Sequence, residues 1–208
     1  MTFFTAKYVL HNNAKYGKIE PKGSVFMNKI DTKFITRTAI ILALTIVFQN
    51  LRYLIGNTLP STIIIGSLVN LCIVVATGLV GITAGVVISI ISPLIALAQG
   101  HLPHPLFVPV TMAGNLVIAI VYYYISKANL AGKASGYVGV VVGALAKWGI
   151  MYYVGVALVL NLIIGSALPQ QKATLIALSF NVPQFITAII GGILGVALVG
   201  ILKNRIDK

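Results

Sequence analysis

Long apolar runs alternate with short polar segments along the chain from residue 34 to residue 202. The first apolar run covers about 34–51, and a polar segment at 49–61 follows it. The next run, 62–98, holds 37 residues. As one helix it would be about 55 Å long, against about 30 Å of hydrocarbon in a bilayer, so we predict that it folds back once. Glycine accepts the backbone angles of a tight reversal, and the glycines that mark this turn are Gly78, Gly81 and Gly85.

The second half of the chain predicts three further spans. Prolines break the segment 99–109 into a loop. The spans that follow are about 107–126, 137–160 and 175–202, separated by polar loops at 127–135 and 166–173. The whole pattern predicts an all-α integral membrane protein, with six transmembrane helices in one membrane domain at 34–202.

The composition agrees with this reading and adds an orientation. The chain is 58% hydrophobic and only 9% charged, whereas soluble proteins are about 25% charged. Six spans place both termini on one side, which the positive-inside rule assigns to the cytoplasm because most basic residues collect there. The basic residues of that side are Lys29, Lys33, Arg37, Lys127, Lys133, Lys203, Arg205 and Lys208, and the other side has Arg52 and Lys172.

Two basic cytoplasmic tails flank the predicted membrane domain, at 1–33 and 203–208. Met27, followed by Asn28 and Lys29, is typical of a natural start. We therefore interpret residues 1–26 as an extension or a misplaced start and leave them out of the fold reasoning. They also lack the short hydrophobic core and small-residue cleavage site of a signal peptide.

Several classes of function are disfavoured by the sequence. Most of the net charge of +12 flanks apolar runs, and no stripe combines basic residues with stacking aromatics, so we expect no nucleic-acid partner. The chain has no P-loop, no HExxH motif, no paired carboxylates and no Ser/His/Asp set. We therefore expect no enzyme activity, no cofactor and no ATP hydrolysis by the chain itself.

Polar side chains in the middle of a bilayer are costly, so each one needs a reason. At a rise of about 1.5 Å per residue, Asn115, Lys147 and Gln184 fall near mid-depth on three consecutive spans. Asn70 reaches a similar depth on the second span.

Two asparagines extend this polar group toward the outside. Asn161 follows Lys147 by 14 residues, close to the same helix face, and Asn181 is one turn above Gln184. A polar column from mid-membrane to the outer surface is what a pocket open to the outside needs.

Lys147 is the sharpest of these positions, because the chain has no acidic residue between Asp31 and Asp207. A lysine at the centre of a span costs about 2.5–3.5 kcal/mol on insertion scales. We favour binding to an anionic group of a substrate. The alternatives are hydrogen bonds to carbonyls and amides in a structural role, pairing with an acid of a partner subunit, and a neutral or shallower lysine. Trp148 beside it would stack on a flat ligand or pack in the core.

The outer loops offer weaker candidates. Arg52 at the outer end of the first span would guide anions inward or lie solvated at the interface. His101 and His104 form an HxxH pair, but no Cys, Asp or Glu nearby completes a ligand set, so we expect no metal site.

The segment ThrAlaIleIleLeuAlaLeu at 38–44 resembles the AxxxA motif of the substrate-binding (S) components of energy-coupling factor (ECF) transporters. Ala39 and Ala43 match the motif. The resemblance extends over about 30–205 through the length, the six spans and the proline-rich third loop. It also includes AlaLeuAlaLys in span five and the Pro-Gln in span six.

This resemblance implies an ABC-type importer subunit of a bacterial plasma membrane that captures a vitamin or related micronutrient from outside. Its partners would be a membrane coupling subunit, which packs on the AxxxA motif, and two ATPases. Pockets in the family are built from spans four to six under the first and third outer loops, which implies Asn115, Lys147, Trp148 and Gln184 here. Lys147 favours an anionic cargo, such as a pantothenate-like or pyridine carboxylate vitamin.

Two rival functions remain open at this stage. A self-sufficient carrier for small solutes is disfavoured because the spans hold no carboxylate and show no obvious inverted repeat. A scaffold subunit without a small ligand would leave Lys147 as a structural donor.

Overall fold

The computed structural model of the protein describes residues 32–56, 58–164 and 169–206, and these are helical apart from short connections. The predicted start at Met27, the basic residues Lys29 and Lys208, and most of the N-terminal tail lie outside the described residues. The α-helices are, in chain order, α1 (Thr32–Ile55), α2 (Leu59–Leu79), α3 (Ile82–Ala98), α4 (Phe107–Ala128), α5 (Ser135–Ile150), α6 (Gln170–Ser179) and α7 (Val182–Ile206). A 3₁₀ turn at Gly132–Ala134 precedes α5, and a π-helix at Met151–Ile164 continues it.

Within the described residues, five helical stretches are long and apolar enough to cross a membrane, and α3 is a shorter apolar helix of 17 residues. By length and composition the chain is therefore a multi-pass helical membrane protein. The count of six crossings and the cytoplasmic side of the termini stay predictions.

The reversal between the second and third predicted spans lies at Gly81. This residue has φ +127°, which side-chain-bearing residues rarely adopt, and it caps the start of α3. Gly78 and Gly85 are not part of the turn. They lie inside helices, where a Cβ on Gly85 would overlap the hydroxyl of Thr77.

The sequence predicts the sixth span as one helix, but the structure divides it into two. The chain breaks at Phe180–Asn181, between α6 and α7, and α6 begins inside the segment predicted as the loop 166–173. Pro183 lies in the first turn of α7, where its missing N–H costs nothing, and a proline disfavours helical backbone in the residue before it. The fifth span also changes character, because it is α-helical only as far as Ile150.

Glycines allow the central helices to pack closely. On α7, Gly191 and Gly195 lie against the backbone of α2, where a Cβ at Gly191 would overlap the carbonyl oxygen of Ser67. On α5, Gly139 and Gly143 lie against the backbone of α4. Small residues at this spacing let helix backbones approach in lipid. The contacts hold α2, α4, α5 and α7 around a fully buried core, which includes Ile73, Ile88, Ile118, Ala144 and Ala188.

Helix α1 is the least enclosed of the long helices. In its most apolar stretch 17% of the residues are buried, against 50% in α2. Ala39 and Ala43 both lie on its exposed face, together with Ile40 and Val47. The rest of α1 packs through a few polar side chains, among them the buried Thr45 and Gln49.

We expect Gly191→Ala to destabilise the protein, because its new methyl group would push α7 away from α2. Overpacking of this kind typically costs about 1–3 kcal/mol. Gly200→Ala on the same helix is the matched control, since a Cβ there meets nothing within 4 Å. Thermal unfolding in mild detergent should give a lower midpoint for Gly191→Ala only. Equal midpoints for the two variants would contradict the close α2–α7 contact.

Candidate functional site

The ammonium of Lys147 is bound by two neutral amides. Lys147 is 2% exposed, and its Nζ donates to Oδ1 of Asn70 at 2.7 Å and to Oδ1 of Asn115 at 2.8 Å. The three residues come from α5, α2 and α4, and all three are buried. We call them the lysine–amide cluster. The acceptors of the Lys147 ammonium in this cluster are amide oxygens, not carboxylates.

The amide of Asn70 is oriented by its other contacts. Its Nδ2 donates to the carbonyl of Gly66 at 2.8 Å and lies 3.4 Å from Oγ1 of Thr187. The hydroxyl of Thr187 in turn donates to the carbonyl of Gln184 at 3.0 Å. Because the NH₂ group is committed to these acceptors, the carbonyl oxygen faces Lys147. Helix α7 thus supports the cluster without touching the ammonium.

Packing also fixes the stem of Lys147. Gly114 lies so close that a Cβ there would be 3.3 Å from Cγ of Lys147 and 2.8 Å from Cε of Met151. A larger residue at this position would displace the lysine stem, so α4 and α5 hold the ammonium at one depth.

Within the described residues, the ammonium of Lys147 is solvated by two amide oxygens and contacts no acidic side chain. An ammonium has three donors, and among the described residues two of them have protein acceptors. The sequence supplies no carboxylate side chain between Asp31 and Asp207. A buried charge is costly unless it is paired. The arrangement therefore attracts a negatively charged group.

The cluster forms one wall of a cavity of about 120 Å³. The cavity lies between α1, α2, α3, α4, α5, α7 and the loop that follows α3. A second cavity of about 280 Å³ is lined by residues of α1, α2, α4, α6 and α7, and of the connections before α2, after α3 and between α6 and α7. The residues that line both cavities are Arg52, Thr62, His101, Leu102, Thr111 and Gln184. The two spaces therefore adjoin and form an inner and an outer chamber.

Arg52 brings a second cation to the inner chamber. Its Nη1 donates to the carbonyl of His101 at 3.3 Å, and its Nη2 lies 3.5 Å from Oγ1 of Thr62. The neighbouring Tyr53 donates to the carbonyl of Gln99 at 2.8 Å, and its ring lies 5.0 Å from the ring of His101. The end of α1 is thus tied to the loop after α3, at the boundary between the two chambers.

The predicted site residues fall into two groups. The structure brings together Lys147, Asn70, Asn115, Gln184 and Arg52, which all line the inner chamber. The predicted residues that do not line either chamber are Trp148, Asn161, Asn181 and His104. The inner chamber also reaches α1, α2 and α3, so it is not confined to spans four to six as the resemblance implied.

Helix geometry explains why two of these residues lie elsewhere. Adjacent residues of an α-helix point in directions about 100° apart, so Trp148 does not share the face of Lys147. Its indole donates to Oδ1 of Asn181 at 3.0 Å and its ring stacks on Tyr152. Asn161 lies in the π-helix, whose i→i+5 winding turns less per residue, so the face calculated for an α-helix does not apply and the residue is exposed.

His104 contacts its own loop. Its Nδ1 accepts a hydrogen bond from the backbone N–H of Leu106 at 3.2 Å. Within the described chain, no three His, Cys, Asp or Glu side chains are grouped in a way that could hold a metal ion. The HxxH pair is therefore split, with His101 alone at the chambers.

Sequence reasoning missed several residues of the inner chamber. Gln49 and Ser92 are buried and line it, as do Thr62 and Thr111, and Thr187 supports Asn70. Gln49 was taken as the start of a polar linker because it ends an apolar run. Ser92 is a polar residue inside an apolar run, directly before Pro93. This position was the available signal that a polar side chain of α3 lines the chamber.

The site also predicts a pH dependence through the loop at His101. Burial lowers the pKa of His101 below its ordinary value, and the charge of Arg52 lowers it further. Below pH about 6.5 the imidazole of His101 binds a proton more readily in the unfolded chain than in the folded one. The free energy of unfolding should therefore be highest above that pH and fall as the pH decreases. His101→Gln should remove this part of the decrease between pH 7.5 and 5.5. A decrease of the same size in wild type and variant would contradict the assignment.

Comparison of the chain with known protein families, characterised proteins and solved structures finds no match. The identification of the site therefore rests on the geometry of the lysine–amide cluster and the two adjoining chambers.

Proposed function

We propose that this chain is the membrane substrate-capture subunit of an ECF-type ABC importer, and that the two chambers bind a small anionic micronutrient. The observation that carries the proposal is the buried ammonium of Lys147, which lines a cavity and contacts no acidic side chain in the part of the chain that the structure describes. A cation held in that state is a binding site for an anion.

The electrostatics of the inner chamber favour an anion strongly over a cation. Lys147 and Arg52 line the same cavity, and none of the residues that line it is acidic. Two positive charges that line one space of low dielectric act together on a ligand. A cationic ligand would meet repulsion from both.

The size of the chambers favours a small molecule. Their volumes of about 120 and 280 Å³ lie below or near the lower end of the range for ligand pockets, which is about 300–1,000 Å³. The outer chamber adds apolar side chains, including Leu102, Ile176 and Phe180. A compact molecule with an anionic end at Lys147 and a less polar remainder toward the outer chamber fits both.

The proposed coupling to an ATPase-bearing module rests on α1. The resemblance places the docking contact at Ala39 and Ala43, and these residues lie on the exposed face of the least enclosed long helix. Small side chains on an exposed apolar face permit close approach by a helix of another subunit. The coupling subunit and two ATPases are the partners that this proposal names.

We expect Lys147→Met to remove ligand binding. Methionine keeps the length and packing of the stem but has no charge and no donor, so affinity for an anion should fall at least about 10- to 100-fold. Native mass spectrometry of protein purified in mild detergent, with release and identification of bound small molecules, measures this. Thr77→Val is the matched control, because Thr77 is a buried polar residue outside both chambers.

The outcomes of this experiment separate the rival functions. An anion bound to wild type and Thr77→Val but absent from Lys147→Met supports the proposal. The same anion on all three proteins shows that Lys147 is not the binding group. No bound molecule in wild type, also after addition of a vitamin panel, favours a scaffold subunit.

We expect Ala39→Trp and Ala43→Trp to block docking while ligand binding stays unchanged, because a bulky ring prevents close helix approach. Leu145→Trp is the control, since Leu145 is 50% exposed on α5, away from the α1 face. Co-purification of the ATPase module should be lost in the two α1 variants and kept in the control. Uptake into vesicles by this chain alone would instead show a self-sufficient carrier.

A further inference from the structure

The inner chamber has a second polar wall, opposite in character to the lysine–amide cluster. Gln49 on α1 is 6% exposed and Ser92 on α3 is 1% exposed, and both line the same cavity as Lys147. The Nε2 of Gln49 donates to the backbone carbonyl of Ser92 at 3.0 Å. This bond joins α1 to the backbone of α3 and fixes the position of the Gln49 side chain.

The bond also fixes which end of the Gln49 amide is free. A carbonyl oxygen only accepts, so the NH₂ group must face the Ser92 carbonyl and a flipped amide would place two acceptors against each other. The Oε1 of Gln49 then has no hydrogen-bond partner among the described residues. An amide oxygen is an acceptor only, and leaving it buried and unpaired is costly.

The hydroxyl of Ser92 also has no hydrogen-bond partner among the described residues, whereas several other hydroxyls of the bundle are paired. The hydroxyls of Thr45, Ser67, Thr77 and Thr111 each donate to the carbonyl four residues earlier in their own helix. The Oγ of Ser92 makes no such bond and has no other partner among the described residues. Thr38 and Ser89 also have unpaired hydroxyls, but neither lines a chamber.

We propose that the anion bound in the inner chamber also carries a hydrogen-bond donor, a hydroxyl or N–H group, which Gln49 and Ser92 recognise. This inference rests on the proposed capture function and narrows its substrate class. Lys147 and Arg52 have only donors to offer and bind the acceptor oxygens of an anionic group. The Oε1 of Gln49 offers only an acceptor, so a ligand bound against it needs a donor there. The cargo is then a hydroxy- or amido-carboxylate rather than a simple fatty acid or an inorganic anion without a donor.

The recognition of a donor gives selectivity as well as affinity. A site that offers a buried acceptor rejects an analogue without the matching donor, because the acceptor is then buried unpaired. Ser92 can bind either a donor or an acceptor of the ligand, since a hydroxyl both donates and accepts. The wall formed by Gln49 and Ser92 therefore distinguishes anions of similar size by one functional group.

Matched pairs of short carboxylates test this inference on the full chain in mild detergent. Each hydroxy acid of three to six carbons is compared with the acid in which methyl replaces the hydroxyl, and inorganic sulfate is added as an anion without a donor. Binding is followed by isothermal titration. In wild type we expect at least one pair in which the donor-bearing acid binds about tenfold more tightly, the difference made by one hydrogen bond of about 1.4 kcal/mol.

Variants assign that preference to the second wall. Gln49→Leu should reduce the preference to about twofold or less while the methyl analogue binds as before. Ser92→Ala, which keeps the backbone carbonyl that holds Gln49, should reduce it partially. Thr45→Val is the control, because its hydroxyl is buried one turn away on α1 and is satisfied within its own helix. It should keep the full preference.

The molecule that co-purifies with the protein gives a second readout. Mass spectrometry in D₂O counts its exchangeable hydrogens, and we expect at least one beyond those of its acid group. Anions that bind wild type without any donor preference, or a preference that survives Gln49→Leu, would overturn this inference and leave the capture function standing. If neither the panel nor the co-purified fraction yields a bound anion, the capture function fails and this inference fails with it.

Discussion

The structure depends on how one ammonium group is accommodated inside an apolar bundle. Lys147 is buried in a part of the chain that has no acidic side chain, and its contacts are two amide oxygens from two other helices. Amides solvate a charge but do not cancel it. Burial of this charge therefore still costs free energy, and an anion bound in the inner chamber would lower that cost. Every other feature of the chamber can be understood as a response to this charge.

The helices around the charge are held by contacts that leave little freedom. Gly191 brings α7 against the α2 backbone beside Asn70, and Gly114 brings α4 against the stem of Lys147. The polar chain then runs from Lys147 through Asn70 to Thr187 and the backbone of Gln184. Tight packing and hydrogen bonding therefore act on the same residues, so the cluster is preorganised before any ligand arrives.

The depth at which the site residues lie could largely be predicted from the sequence, but the direction in which their side chains point could not. Counting along apolar runs placed Asn70, Asn115 and Lys147 at one level, and the structure brings these three into contact. The loop after α3 and the turn at Gly81 also followed from proline and glycine chemistry. Which way a side chain faces depends on the winding of its helix and on its neighbours. Asn161 lies in the π-helix after Ile150, and Trp148 follows Lys147 by one residue on α5, so neither lines a chamber although both were predicted at the pocket. Gln49 was missed because a polar residue at the end of an apolar run looks the same whether it faces water or a cavity.

The two walls of the inner chamber differ in how free they are to change over evolutionary time. The lysine–amide cluster lies on helices joined through glycines, and substitutions there disturb the bundle together with the site. Gln49 and Ser92 are joined by a side-chain hydrogen bond to a backbone carbonyl, which is easier to replace without moving a helix. Under the proposed capture function, a lineage that changes from one anionic nutrient to another would therefore keep the charged wall and exchange the residues of α1 and α3. Divergent relatives of this protein should be recognisable by a constant lysine and a variable partner across the chamber.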